Sequence, residues 1–527
     1  MRSIQIYDST LRDGAQGEGI SFSLEDKIKV VRKLDELGVA YIEAGNPASN
    51  PKDLEFFRIA KTLPLQNAKL CAFGSTKRAG VRPEADNGLL SLLEAETPAT
   101  AIFGKCSLLH VSTILGVSPQ ENLTMIHESI RYLKACGREV IFDAEHFFDG
   151  CAEDEDYAFS CIQAAADAGA DTVVLCDTNG GSFFDTIARL TEKAASLLSV
   201  PVGIHTHNDT DMAVANTVAA VLAGASHVQG CINGFGERCG NANLCSIIPN
   251  LQLKRGYSCI PEQRLSSLTE TSRYISELAN VIPDAHSPYV GSSAFAHKGG
   301  MHVDGVLKDS KTFEHIDPSL VGNDRRFLIS EVSGRSNLLS LIHTYHPNAT
   351  KSSPETQRIL DRLKQLEYEG YQFEAADASV ELIIRKELGM YSPSFELDHF
   401  NVMANEPKYN EYSSSAIVKV GVDGQYKLTV AEGHGPVNAL DKALRKALET
   451  FYPTLRTMRL TDFKVRILDG NRATEAVTRV LIESTDGTHT WTTVGVSSDI
   501  LAASWKALVD SIEYKLYQDQ KNTVKGR

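Results

Sequence analysis

Short β-branched runs recur through the first half of the chain, with helical patterns between them, and this recurrence restricts the fold more than any other feature. The runs read as strands at Ile4–Asp8, Tyr41–Gly45, Lys69–Gly74, Lys105–Val111, Glu139–His146, Thr172–Asp177, Val202–Asn208 and His227–Asn233. Their starts lie about 25 to 37 residues apart. Between them, Leu24, Ile28, Val31 and Leu34 share one face of a helix over Leu24–Leu37, and a second helix over Asp156–Ala168 stops at Gly169. Strand, helix, strand at this spacing is a βαβ unit, and eight units in about 260 residues predict an α/β fold of the (β/α)8 TIM barrel type. An open doubly wound sheet is the alternative; the lack of GxGxxG after the first strand weighs against it.

The second half reads differently. From about 285 to 375, Gly, His and charged residues mix with helical patterns such as Thr356–Tyr368, as a helical linker subdomain would. From about 395 a repeat appears. Strand-like runs Phe395–Met403, Ala416–Val422 and Gln425–Ala431 precede a helix starting near Pro436. Runs Arg459–Leu468, Ala476–Ser484 and Thr488–Val496 precede a helix starting near Asp499, with Ser498 as its cap. Leu440, Leu444, Ala447 and Phe451 share a face in the first helix; Leu501, Trp505, Leu508 and Ile512 repeat the offsets in the second. Two βββα repeats predict a separate C-terminal α/β domain. With no Cys and only His399, His434 and His489, that domain suits binding or pairing rather than a second catalytic centre. The expected division is a barrel over 1–280, linker subdomains over 281–394 and a C-terminal regulatory and dimerisation domain over 395–527.

A chain of 527 residues suggests about three domains, or one large barrel with additions. Its net charge of −14 argues against sequence-independent nucleic-acid binding. No apolar run reaches about 18 residues, so no membrane span is expected, and the N-terminus reads as a strand rather than a signal peptide. The 10 Cys, all between Cys71 and Cys259, form no CxxC pair, which points to a reduced, cytoplasmic protein.

In a TIM barrel, chemistry sits at the C-terminal ends of the strands. There the sequence places Asp8 to Gln16, Glu43, Asp143, Glu145, His146, Asp177 to Gly180, His205 to Asp209, and Gly234 to Asn241. His205-Thr206-His207 is the sharpest pattern. Residues i and i+2 of a strand face one side, so both imidazoles point into the barrel mouth, as a divalent metal requires. The alternative is a hydrogen-bonded pair of core histidines; an aspartate after strand one and an asparagine after strand eight favour metal. Nitrogen and oxygen donors without thiolate suit Mg²⁺, Mn²⁺ or a catalytic Zn²⁺. Arg12-Asp13 is the second pattern. With a turn at Gly14, Asp13 ligates the metal while Arg12 reaches a carbonyl oxygen gaining charge; the alternative is a structural ion pair. The loop GFGERCGN after Asn233 is consistent either with phosphate binding or with a flexible loop of turn glycines.

Three motifs stand together: Leu11-Arg12-Asp13-Gly14-x-Gln16, His205-x-His207-Asn208-Asp209 and Gly236-Glu237-Arg238-x-Gly240-Asn241. They resemble the DRE-TIM metallolyases, and within them the family of 2-isopropylmalate, homocitrate and citramalate synthases. The resemblance continues through Ser293 to Gly305 and Glu432 to Val437, and so covers nearly the whole chain. Gly17 to Ser23, Ser49 to Asp53 and Val321 to Arg326 resemble the long citramalate-type members.

The resemblance implies a Claisen-type condensation of acetyl-CoA with a 2-oxo acid, followed by thioester hydrolysis. Pyruvate as acceptor gives (R)-citramalate and CoA, on a route to isoleucine. Asp13, His205, His207 and Asn241 match the metal ligands. Arg12 matches the residue that stabilises the developing alkoxide and contacts substrate. Glu145 matches the acid of the Asp-Arg-Glu signature, Thr178 a contact to the oxo-acid carboxylate, and His302 the base that deprotonates the acetyl methyl. Phe313 stands where family members often carry tyrosine, and Asn46 where a bulkier aromatic bears on the acceptor pocket. The resemblance also implies a homodimer, and isoleucine or leucine as an effector of the C-terminal domain. The competing readings are a 2-isopropylmalate synthase using 2-oxoisovalerate, an acyl-CoA lyase or aldolase of the same superfamily, and a non-catalytic regulator.

Overall fold

The computed structural model describes residues 2–49, 51–327, 342–343, 349–350, 353–373, 376–404, 413–468, 476–487 and 489–525. Asn50 and Thr488 lie outside them. The chain divides into two compact units, Met1–Phe295 with Ile316–Arg325, and Ala296–His315 with Arg326–Arg527.

The first unit is a closed barrel of eight parallel strands: β1 (Gln5–Asp8), β2 (Tyr41–Glu43), β3 (Lys69–Ser75), β4 (Ala99–Lys105), β5 (Glu139–Glu145), β6 (Thr172–Asp177), β7 (Val202–Thr206) and β8 (His227–Gly230). Pairing of Gln5 with His227 through Asp8 with Gly230 closes it. Alternation along each strand sorts the side chains. Ile6, Ile42, Leu70, Ile102, Phe142, Val173, Ile204 and Val228 face the surrounding helices. Tyr7, Tyr41, Cys71, Ala101, Ile141 and Val174 fill the inside.

Seven of the eight expected strands lie where the sequence places them; the fourth does not. It runs Ala99–Lys105, while 108–115 is helical, with Leu109 and Ile114 exposed. Alanine has low strand preference, so Ala99 and Ala101 hide the true strand; inside a crowded barrel their small size is what fits. The helix Leu24–Leu37 has the expected bounds, because Ser23 and Asp26 form a capping box: Ser23 Oγ accepts from Asp26 N (3.1 Å) and Asp26 Oδ2 from Ser23 N (2.9 Å). The expected helix Asp156–Ala168 is the second part of Phe147–Asp167, which breaks at Asp154; Asp154 Oδ1 restarts it by accepting from Tyr157 N (2.9 Å).

The second unit holds a short parallel pair, β9 (Ala296–His297) with β10 (Arg326–Phe327), and the helices Gly300–Lys308, Pro354–Tyr368 and Asp377–Glu387. Two antiparallel three-stranded sheets follow: β11 (Glu396–Ala404), β12 (Ser414–Val422) and β13 (Gln425–Gly433), then β14 (Arg459–Ile467), β15 (Thr478–Thr485) and β16 (Thr490–Ser497). Each is followed by a helix, Pro436–Leu448 and Ile500–Lys525. The two βββα repeats are thus present, but their register differs from the expected one. Equivalent contacts lie 64 residues apart: Thr429 Oγ1 donates to the Ala443 carbonyl and Thr493 Oγ1 to that of Ala507 (2.7 and 2.8 Å), while Lys442 and Lys506 reach the carbonyls of Glu432 and Val496. Leu444 therefore matches Leu508 and Leu448 matches Ile512, all fully buried. Leu501 and Trp505 lie only half-buried, Trp505 at the edge of the core with its ring stacked on Phe400. The cap of the second helix is Asp499, whose Oδ1 accepts from Leu501 N (2.8 Å), rather than Ser498.

Candidate active site

The ends of β1, β7 and β8 bring four donors together at the barrel mouth. After β1 the chain turns on the Ser9 carbonyl, which accepts from Arg12 N and Gly14 N, and this turns Asp13 inward. Gly14 opens a tight turn over Gly14–Gln16 in ordinary right-handed backbone, so the turn does not depend on glycine's freedom. His205 is the penultimate residue of β7 and His207 follows the strand, their rings 5.0 Å apart. Their Nε2 atoms lie 3.7 and 4.0 Å from Asp13 Oδ2. Asn241 Nδ2 donates to Asp13 Oδ1 (3.0 Å). The glycines of the 234–241 loop serve this placement. A Cβ at Gly236 would lie 2.2 Å from Asn241 Nδ2, and one at Gly240 (φ +89°) 2.1 Å from the Gly234 carbonyl. The loop is thus folded around Asn241 rather than open as a phosphate cradle.

The donor atoms of Asp13, His205 and His207 all lie within 4.8 Å of one another, and all three residues are buried. Asn241 Oδ1 is buried without a hydrogen-bond partner, as are Nδ1 of His205 and of His207. A buried polar atom left unpaired costs about 1–3 kcal/mol. An amide oxygen without a partner beside a carboxylate and two imidazoles fits a divalent cation bound by oxygen and nitrogen. Burial pushes the nearby Cys176 and Cys231 thiols well up, so they stay protonated and are poor ligands.

Electrostatics agrees. Burial opposes ionisation of Asp13, but Arg12 and then the two imidazoles outweigh it and hold the carboxyl well below the usual range. Burial, reinforced by His205, brings His207 down to about 4; burial also lowers His205. Both rings are therefore neutral near pH 7, the form that binds metal.

Arg12 is held on three sides. Its Nε donates to Glu43 Oε2 (2.6 Å), its Nη1 to Asp13 Oδ2 (2.9 Å), and its guanidinium carbon lies 3.7 Å from the centre of the Phe73 ring. Nη2 makes no hydrogen bond among the described residues. Glu43, fully buried, also accepts from Tyr7 Oη (2.7 Å) and Ser9 Oγ. The carboxylates that Arg12 meets are thus Asp13 and Glu43, while Glu145, on the wall of the same mouth, pairs with Lys105. The end of β2 was legible as a rim position in the sequence, but nothing local tied Glu43 to Arg12.

Arg12, Asp13, Glu145, Thr178, His205 and His207 line one cavity of about 270 Å³. Asn46 lines an adjoining cavity of about 510 Å³ rather than this one. Thr178 is gripped twice: its Oγ1 accepts from His146 N (2.9 Å) and its carbonyl from Arg238 Nη2 (2.8 Å). Arg238 also forms a fork with Asp209 (2.8 and 2.9 Å). Sequence reasoning had assigned no role to His146 or Arg238. His302 belongs to the second unit, exposed on helix Gly300–Lys308, where its ring stacks on Phe313 at 4.1 Å.

The HMGL-like family model matches residues 3–275, the homocitrate synthase post-HMGL domain-like model 289–370, and the LeuA allosteric (dimerisation) domain model 374–516. The chain is 50% identical over 523 residues to an (R)-citramalate synthase of Aquifex aeolicus, covering 99% of both chains. It is 51% identical over 528 residues to one of Synechocystis, covering 98% of this chain and 96% of the relative. The chain belongs to the citramalate synthase family. A probable 2-isopropylmalate synthase of Methanopyrus kandleri is more distant, at 33% identity with 97% of each chain covered. As a citramalate synthase family member, the protein is an acyl-transferring enzyme, and its barrel mouth carries a candidate divalent-metal site.

Proposed function

We propose that this enzyme condenses acetyl-CoA with pyruvate to give (R)-citramalate and CoA, on a route to isoleucine. The observation that carries this reading is identity of about half the residues, along nearly the full length, with (R)-citramalate synthases. In it, Asp13, His205, His207 and Asn241 hold Mg²⁺, Mn²⁺ or Zn²⁺. A cation there supplies Lewis-acid polarisation of the keto oxygen of a 2-oxo acid.

The chain's own residues supply the rest. The Thr178 hydroxyl donates to the acceptor carboxylate. His302 takes a proton from the acetyl methyl at a ring nitrogen, with Phe313 stacked on it in place of a hydroxyl partner. The methyl carbon then bonds to the keto carbon, and Nη2 of Arg12 donates to the keto oxygen as it gains negative charge. Glu43 and Asp13 keep the guanidinium charged and fixed, so little reorganisation accompanies that step. The alkoxide takes its proton from water, and Glu145, paired with Lys105 on the cavity wall, accepts a hydrogen bond from that water. Water finally cleaves the thioester, releasing CoA.

Segment 1–280 is the proposed catalytic barrel, 281–394 the linker that carries His302, and 395–527 the regulatory and dimerisation domain. The outward faces of the repeat sheets expose Leu428, Val430, Phe463 and Ile467, which suits pairing in a homodimer and an effector such as isoleucine or leucine. All ten cysteines are free, as suits the reducing cytoplasm. Among the described residues no helix is long and apolar enough to cross a membrane.

The test is CoA release, followed with a thiol reagent, from acetyl-CoA and Mn²⁺ with pyruvate, 2-oxobutyrate, 2-oxoisovalerate or 2-oxoglutarate. Pyruvate should give the fastest release. Fastest release with 2-oxoisovalerate would move the enzyme to the isopropylmalate reaction, and release without any 2-oxo acid would refute a condensation.

A further inference from the structure

The residue that grips the Thr178 hydroxyl is itself in an unusual state. His146 follows β5 and adopts left-handed backbone, φ +58° and ψ +34°. Side chains with a Cβ avoid that region, and outliers of this kind gather at functional sites. From there its N–H donates to Thr178 Oγ1 (2.9 Å). A hydroxyl has one hydrogen to give and two lone pairs to accept with. With a lone pair taken by His146, the Thr178 hydrogen points elsewhere, and among the described residues no protein atom accepts it. Thr178 lines the cavity beside Arg12, Asp13 and His205.

Two contacts hold His146 in place, and a third holds its partner Asp149. Its ring stacks on His110, centroids 3.8 Å apart and planes 29° from parallel. Its Nδ1 lies 3.0 Å from Asp149 Oδ2. Asp149 in turn accepts from Nδ2 of Asn179 (2.9 Å), the residue after Thr178. The His146 side chain is nearly buried, while Asp149 is partly exposed.

We propose that His146 is a positioning residue for the acceptor substrate: its left-handed backbone, pinned by the His110 stack and by Asp149, sets Thr178 with its hydroxyl hydrogen turned toward the carboxylate of the 2-oxo acid. The inference rests on the reading of Thr178 as the carboxylate contact.

The test uses the full-length enzyme with His146→Val, His146→Asn, His110→Ala, Thr178→Val and the double variant His146→Val/Thr178→Val. KM for pyruvate, KM for acetyl-CoA and Mn²⁺ affinity without substrate are measured for each. Thr178→Val and His146→Val should each raise the pyruvate KM by about tenfold, the loss of one hydrogen bond, with the other two constants within about twofold. His146→Asn, which tolerates left-handed backbone and can still meet Asp149, should stay within about threefold. His110→Ala should fall between. The double variant should be no worse than either single one, because both remove the same contact. Unchanged pyruvate KM in Thr178→Val would overturn the carboxylate reading itself. A rise in Thr178→Val combined with multiplying effects in the double variant would overturn the positioning role alone. If His146→Val does not fold, an unchanged pyruvate KM in His110→Ala overturns that role.

Discussion

Buried polar atoms are treated in opposite ways in the barrel mouth and the C-terminal repeat. In the repeat they are largely paired, Ser414 Oγ being an exception: Thr429 and Thr493 donate to helix carbonyls, Trp491 Nε1 donates to Ser511 Oγ (2.9 Å), and Ser511 meets Ser484 (2.8 Å). In the mouth, Asn241 Oδ1, Gln229 Oε1 and Nδ1 of both His205 and His207 are buried without partners. Each such atom costs about 1–3 kcal/mol, so four in one place form a destabilised region. A cation that takes the Asn241 oxygen together with the Asp13 carboxylate would stabilise the fold as it binds.

That contrast can be broken in several ways. The largest effect should come from His205→Ala, which removes one of four donors: turnover should drop by at least about a thousandfold and Mn²⁺ affinity with it, read by turnover assay and metal titration. Normal metal binding would end the ligand assignment. Next, Leu444→Ala and Leu508→Ala, equivalent positions of the two repeats, should each cost about 2–5 kcal/mol in urea unfolding of the second unit while Mn²⁺ affinity stays put. Unequal losses would show that one repeat collapses around the cavity and the other does not.

Saturating Mn²⁺, at about a hundred times its dissociation constant, should stabilise the barrel by about 2.7 kcal/mol, seen as a higher Tm that chelator reverses. A pH effect acts on the same barrel mouth. Burial, and then the charge of Glu43, pushes Asp143 up to about 8. Between its unfolded pKa, about 4, and that value the folded protein keeps a proton that the unfolded chain has lost. Stability of the metal-free enzyme should therefore fall as pH rises from about 4 to about 8, by up to about 1.4 kcal/mol for each pH unit. In Asp143→Asn, where the amide oxygen can still accept from Gln229, that part of the slope should vanish. The smallest effect is Ser511→Ala: about 1 kcal/mol, since Trp491 Nε1 keeps the Ser511 carbonyl (3.2 Å) while Ser484 loses its partner.

The barrel and the two repeats were legible in the sequence because both are written locally, as strand runs and helical faces at regular spacing. Asp13, His205 and His207 were legible for the same reason: one strand carries both histidines two residues apart, and a strand end carries the aspartate. Strand β4 was not, since Ala99 and Ala101 look like poor strand residues until the crowded interior explains them. The repeat register was not, because two helices of similar composition can be aligned one turn out, and only shared contacts such as Thr429 to Ala443 and Thr493 to Ala507 fix it. Nor was the partner of Arg12. Glu43 and Glu145 both end barrel strands in acid, and sequence spacing does not distinguish them. Closure of the barrel does, by setting β2 beside β1 so that Tyr7 pairs with Tyr41 and Glu43 meets Arg12 across the mouth. Local chemistry thus determined which groups the chain carries to the rim; the register of strands distant in sequence decided which of them meet.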